Sequence, residues 1–334
     1  MITVTLFILE HSEESERILA DLESLKSAYP HQLVLLNYSQ DPDMISYDPS
    51  SLPVLEVGPF RLKKQFTRQD IQVALGAAQD RQAVLQQVGD THYLERKERG
   101  HTISSADRFS YWFTKHYMAV FNSLLFIYAG LPFLAPVLMK VNVQAPARLI
   151  YDFYSIMCHQ LAFRSWFLFG EQSAYPTALA GVPGLLTLAQ ATGIKVTDLA
   201  AARAFIGNPQ IGYKVAYCER DVAIYASILL FGLIYAPFRS KIKSLPWYLW
   251  VIIALVPMGI DGVSQLPDLL TISLPAWIPI RESTPFLRTL TGFLFGFFTA
   301  WYGFPYIYES MEDTKRLMKY KTAVVTQTAQ LEKG

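Results

Sequence analysis

Charge is scarce in this chain, and cysteine scarcer still. Only 17% of the 334 residues are Asp, Glu, Lys or Arg, and the two cysteines are Cys158 and Cys218. Two cysteines exclude a small disulfide-built scaffold and leave room for one bridge or one metal site. The net charge of +1 provides no global field that would gather nucleic acid, so no nucleic-acid partner is expected. Internal repeats and low-complexity tracts are missing, which excludes solenoid and repeat-array architectures. No secretory leader is expected either: the apolar run in "MITVTLFILEHSEESER" is short and turns acidic at once.

What the chain does hold is apolar side chains, 51% of the total with 14% aromatic, unevenly spread. A length of this order suggests about two domains. Residues 1–116 read as water-soluble, whereas residues 117–310 hold most of the long apolar runs. The expected division is a small α/β domain over 1–89, a charged and aromatic interfacial linker over 90–116, a helical membrane domain over 117–312 and a cytoplasmic tail over 313–334.

In the first part, "ITVTLFIL" reads as a strand, and "SEESERILADLESLKSAY" as a helix with Ile18, Leu19, Leu22 and Leu25 on one side. Ser12, with Glu14 or Ser15 nearby, marks its start. "HQLVLLNYS", "SLPVLEVG" and "RLKKQF" follow as strands, and a helix begun at Thr67 closes the unit. This β-α-β-β-β-α order resembles a small thioredoxin or glutaredoxin-like domain. Such domains carry C-x-x-C where the first strand meets the first helix, because the helix N-terminus lowers the thiol pKa. The matching place here reads Ser12-Glu13-Glu14-Ser15, so both sulfurs are absent, while Pro53 stands where the resemblance implies a cis-proline. The resemblance therefore implies a shell without redox chemistry, a docking module for a cytoplasmic protein partner or a stabilising one.

Four later runs are apolar and long enough to cross hydrocarbon with some tilt: 117–139, 222–238, 245–260 and 286–308. A fifth, Ala147 to Gly170, is interrupted by Arg148, Asp152, His159 and Arg164. Basic residues cluster before the first run (Arg96, Lys97, Arg99, Arg108, Lys115), between the second and third (Arg239, Lys241, Lys243) and after the last (Lys315, Arg316, Lys319, Lys321). The positive-inside tendency sets all three clusters, and both termini, in the cytoplasm of a prokaryotic cell whose plasma membrane the chain spans. Four spans satisfy this, which leaves residues 147–170 as an interfacial or re-entrant helix. The expected fold class is thus α+β and multidomain, the small α/β unit preceding a polytopic helical membrane domain.

That arrangement gathers Cys158, His159, Gln160, Arg164, Cys218, Arg220, Asp221, Asp261, Gln265, Arg281, Glu282, Ser283 and Arg288 toward one membrane face. Charge without a partner in apolar surroundings is costly, so such groups pair, bind water or bind a ligand. The stretches "CHQLAFRSWFLFG", "CERDVAIY", "GIDGVSQL" and "RESTPFLRTLTGFLFG" resemble, over roughly residues 150–300, a family of prokaryotic membrane proteins of unknown function, domain of unknown function 2085. The family's second motif usually reads C-x-R-C-x-G-x-Y; here Asp221 replaces its second cysteine and Ala223 its glycine, and residues 174–213 look like a longer insertion. The resemblance implies a membrane protein and a set of site positions, but no chemistry.

Three readings of the site stand open. Cys158, His159, Cys218 and Asp221 together could hold zinc or another transition metal in a tetrahedral set. Cys158 and Cys218 could instead be bridged if they face an oxidising exterior. Or Arg220, Asp221, Asp261, Glu282 and Arg288 could form a closed ion-pair network that pins the helices. Gln160, Arg164, Arg220, Gln265, Arg281, Glu282 and Arg288 are the candidate polar ligand contacts; Arg281 and Arg288 could clamp an anionic head group. Cys158, His159 and Asp261 are the candidates for catalysis in a membrane enzyme acting on a lipid or thiol. Asp261 would be exposed by a helix break at Gly262 after a kink at Pro257. Ser283 is the expected N-cap of the last helix, and Gly292 with Gly296 a small-x-x-x-small step for close helix packing. "QLPDLLTISLPAWIPI" is expected along the outer interface. The functional expectation is a membrane protein whose outward-facing polar pocket binds a metal ion or a small polar ligand.

Overall fold

The computed structural model describes residues 2–10, 12–39, 47–63, 65–92, 95, 99–100, 102–265 and 281–331. Arg96, Lys97 and most of the stretch expected along the outer interface, residues 266–280, lie outside the described residues. The chain divides into two units, residues 1–116 with 310–334, and residues 117–309.

The first unit opens with strand β1 (Ile2–Ile8), helix α1 (Glu13–Leu25) and strand β2 (His31–Asn37), then β3 (Val54–Val57), β4 (Phe60–Lys63) and helix α2 (Arg68–Val88). The sheet order is β2-β1-β3-β4, with β1 parallel to β2 and antiparallel to β3, and β4 antiparallel to β3. Helix α1 starts on a reciprocal cap: Ser15 N donates to Ser12 Oγ at 3.3 Å and Ser12 N to Ser15 Oγ at 2.8 Å. That exchange satisfies donors the first turn leaves without helical partners. Thr67 and Asp70 start α2 in the same way, and Gly89 ends it in the left-handed conformation, φ 68°. Ile18, Leu22 and Leu25 of α1, the face picked out by helical period, pack with Ile71, Ala74, Leu75 and Ala78 of α2 over Leu6, Ile8, Leu55 and Val57.

Alternate residues of the same strands point the other way. Phe7, Val34, Leu36 and Val54 meet Val324, and Tyr320 stacks on Phe7 at 6.1 Å between ring centres. Both partners belong to residues 310–331, the helical end of the chain, where the sequence reading had only a tail. Gln327 bonds both the N–H and the C=O of Leu35 at 3.1 Å. It thereby occupies part of the free edge of β2, the outermost strand.

The second unit is built on α3 (Ser105–Lys140, of which residues from 117 belong here), α4 (Gln144–Ser155), strand β5 (Ser165–Leu168), two short helices α5 (Leu188–Thr192) and α6 (Leu199–Ala204), and strands β6 (Gly207–Asn208) and β7 (Gly212–Cys218). Then come α7 (Glu219–Phe238), α8 (Trp247–Val263) and α9 (Pro285–Leu331), whose residues 285–309 lie in this unit. Each of the four apolar runs is helical. Only α3 and α7, however, are long and apolar enough to cross a membrane. Four such spans are therefore not found among the described residues: α8 is shorter, and the apolar part of α9 is diluted by Arg288, Thr289, Thr291 and Tyr302.

Residues 147–170 do not form one re-entrant helix. Helix α4 ends at Ser155, a 3-10 turn covers Ala162–Arg164, and the aromatic run that follows is strand β5. The break has a cause at Gln160, whose φ of 50° no helix continues through. Its side-chain amide donates to Tyr151 O at 2.8 Å and Ala216 O at 3.0 Å. The presumed insertion supplies β6 and the start of β7, the centre of an antiparallel sheet ordered β5-β7-β6. Gly212 opens β7 at φ +84°, and a Cβ there would lie 2.6 Å from Gly170 N. The irregularity in α8 is a π-turn at Val251–Leu255, and the helix runs on past Gly262 to Val263.

Candidate functional site

Strand β7 runs straight into α7, and the joint is Cys218. Its Sγ accepts from Asp221 N at 3.4 Å, so a thiol fills the N-cap position usually held by a hydroxyl or carboxylate. Asp221 follows one turn on. Cys158 lies just past the end of α4, where its N–H still donates to Tyr154 O at 3.0 Å. Across the sheet, Ser165 of β5 pairs with Cys218 of β7. The local folds of three elements thus bring the two sulfurs and an Asp221 carboxylate oxygen within 4.8 Å of one another.

Two sulfurs each 2.3 Å from a tetrahedral zinc are about 3.8 Å apart, so these donors need to close by no more than about 1 Å to take one. Both cysteines are free thiols; the bridge is not formed. The Cys218 thiol is pushed well up, by its hydrogen bond with Cys158, by burial and by the charges of Cys158 and Asp221. A bound cation reverses that logic, because it displaces the thiol proton. His159 is exposed and stands outside the donor group. Side chains of adjacent residues point apart, so a donor set that takes Cys158 leaves His159 outside.

The donors open into a cavity of about 590 Å³, also lined by His159, Gln160, Arg164, Arg203, Arg220, Gln265 and Arg288. Two ion-pair clusters stand at its wall. In one, Glu282 takes Arg164 in a two-point grip, Nε to Oε1 at 3.0 Å and Nη2 to Oε2 at 2.8 Å, and also pairs with Arg288. Arg288 reaches Glu219 Oε2 at 3.2 Å and Gln265 Oε1 at 3.3 Å. In the other, Asp261 pairs with Arg220, with Arg281 at 2.5 Å and with the Ser283 hydroxyl at 3.0 Å. These contacts follow the ion-pair reading and show what three of the candidates are engaged in. Asp261 is engaged by its neighbours and is not displayed as a base. Arg281 and Arg288 are held by carboxylates. Ser283 serves Asp261, while Thr284 caps α9 by accepting from Leu287 N at 3.1 Å.

Sequence reasoning missed Lys214, Glu219 and Arg203. Lys214 is fully buried in β7, its Nζ donating to Gln160 O at 2.8 Å and Arg203 O at 2.5 Å, while Tyr151 Oη donates to Lys214 O at 2.5 Å. The lysine ties the loop after Cys158 to the end of α6 and the centre of the sheet. Burial pulls its pKa down to about 7. Its signal was a single lysine inside the alternating strand "GYKVAYC", which is legible only once the strand is known. Glu219 is wholly buried at the first turn of α7, inside a motif where the eye goes to its neighbours.

The uncharacterized protein MJ1492 of Methanocaldococcus jannaschii is 29% identical over 204 residues, 58% of this chain and 94% of the relative. No solved structure matches. Residues 202–302, which carry Arg203, Cys218, Glu219, Asp221, Asp261, Glu282 and Arg288, match the model of a family described as predicted membrane protein (DUF2085).

Proposed function

We propose that residues 117–309 form a membrane-embedded domain whose cavity holds a zinc-type divalent cation on Cys158, Cys218 and Asp221. The observation that carries this reading is the convergence of two thiols and a carboxylate within 4.8 Å inside one cavity. Three protein donors leave a fourth position for water or a substrate, as in catalytic and exchangeable sites rather than closed structural ones. The ion-pair clusters then act as the wall that fixes α7, α8 and α9 around the donors. A Cys158–Cys218 bridge would consume the same sulfurs, so cation and bridge exclude each other in one molecule.

The membrane reading is supported by α3 and α7, whose apolar windows are only 22% and 28% buried within the protein. That leaves most of their apolar surface for lipid. On our reading the cavity faces outward and both termini are cytoplasmic, in keeping with the basic residues that flank the apolar runs. We read the first unit as a cytoplasmic docking or stabilising module with no redox pair. Catalysis on a lipid or thiol substrate is the second reading, favoured by the open fourth position.

Elemental analysis of the detergent-purified chain tests the site. The expected result is about one equivalent of a transition metal, lost in Cys218→Ser and weakened in Asp221→Asn. Metal-free protein with both thiols intact would remove the cation reading.

A further inference from the structure

The cavity holds more positive than negative side chains. Arg164, Arg203, Arg220 and Arg288 line it, against a single carboxylate, Asp221. Behind the lining, Glu219, Asp261 and Glu282 answer these arginines, and Arg281 shares Asp261. Five guanidiniums therefore face four carboxylates. The unanswered one is Arg203, which forms no carboxylate pair among the described residues and donates to Ser155 O at 2.8 Å. Exchanging two thiol protons for one divalent cation leaves this surplus unchanged. Arg203 is exposed, so water holds its guanidinium in the free protein and leaves it open to an oxyanion that enters the cavity.

The rest of the lining says what that charge is attached to. Met157, Leu161, Leu199 and Met258 face the same space, and they offer an adaptable apolar bed. We propose that the cavity binds an anionic amphiphile, with an oxyanion head on the Arg203 guanidinium and a hydrocarbon body against the methionines and leucines. Guanidinium suits such a head because its fork of donors matches the oxygens of a carboxylate or phosphate. The volume of about 590 Å³ falls in the usual range for small-molecule sites, about 300–1,000 Å³. The proposal rests on reading this cavity as the ligand site. It does not need the cation, since the charge surplus is the same without it. The head chemistry has two sources, the carboxylate of a free fatty acid and the phosphodiester of a short or membrane lipid.

The test uses the full chain in nanodiscs of zwitterionic lipid, both zinc-loaded and chelated, with zinc content measured on each sample. Calorimetric titration compares octanoate, dihexanoyl phosphatidylglycerol, octanol and acetate. At least one of the two anionic amphiphiles should bind about tenfold or more tighter than octanol and acetate, as one charge-assisted contact predicts, and the better one identifies the source. Arg203→Gln should weaken that binding about tenfold, and Arg203→Lys should retain most of it. Octanol binding as tightly as both anions in the wild-type protein overturns the proposal whatever the variants do, as does unchanged affinity in a folded Arg203→Gln. Anion binding in protein that never retains zinc upholds this proposal and removes only the cation site.

Discussion

Lys214 is an amine folded into a place where carbonyl oxygens, and no carboxylate among the described residues, receive it. Its folded pKa of about 7 lies below the ordinary 10.5 because burial disfavours the charged form. Between those two values the unfolded chain binds the more protons, so this residue makes stability rise with pH across that window. Below about pH 7 both states are protonated and its burial penalty is fully felt. Thermal unfolding in detergent should therefore rise from about pH 7 toward about pH 10 in the wild type, with a flatter rise in Lys214→Met. Equal slopes would mean the amine is solvated. Glu282 carries a different kind of weight, since it answers both Arg164 and Arg288, the latter only 2% exposed. Glu282→Gln removes one of two counter-charges from Arg288 and the two-point grip from Arg164, and should cost about 1.5–3 kcal/mol of unfolding free energy, read from denaturant titration. At this scale the two cysteines and Asp221 were legible from residue type and spacing alone. His159 was misjudged because its side chain points away from that of its neighbour Cys158, so the two do not join one donor set.

Helices α7 and α9 approach each other at Gly292 and Gly296. A Cβ at Gly292 would lie 2.6 Å from Arg220 O, and one at Gly296 would overlap the Ile224 carbonyl and the Ser227 hydroxyl. The small-x-x-x-small step therefore permits close packing, and that packing holds Arg288 within reach of Glu219. Gly296→Val should force the helices apart at a cost of about 1–3 kcal/mol, lowering the melting temperature, whereas Gly303→Ala, with open space around it, should not. An unaltered Gly296→Val melt would mean that α7 and α9 are not in contact there. The long helices and the Ser12 and Thr67 caps were readable because 3.6-residue periodicity and Ser or Thr starts are local signals. Strands β5 and β7 were not, because they pair across about fifty residues of chain and hide in aromatic runs that read equally well as helix. The span count failed for a related reason. Length and apolarity separate α3 and α7 from α8 and α9, and the sequence reading allowed tilt to make up the difference.

Across the molecule, the chain alternates between two environments. A capped α/β unit with a two-sided core is completed by the helical end of the same chain, through Tyr320, Val324 and Gln327. A second unit leaves most of the apolar surface of α3 and α7 uncovered and keeps its thiols, acids and arginines around one cavity. The division into a more polar and a more apolar part was legible in composition. The role of residues 310–331 was not, because that helix finds its partner surface some three hundred residues earlier in the sequence.

The central claim is that Cys158, Cys218 and Asp221 hold one cation. X-ray absorption at the zinc edge of the purified, zinc-loaded chain measures this directly. The account predicts two sulfur scatterers at about 2.3 Å and oxygen scatterers at about 2.0–2.2 Å, with the sulfur contribution halved in Cys158→Ser. A shell of nitrogen and oxygen alone, or zinc that washes away while both thiols stay reduced, would contradict it.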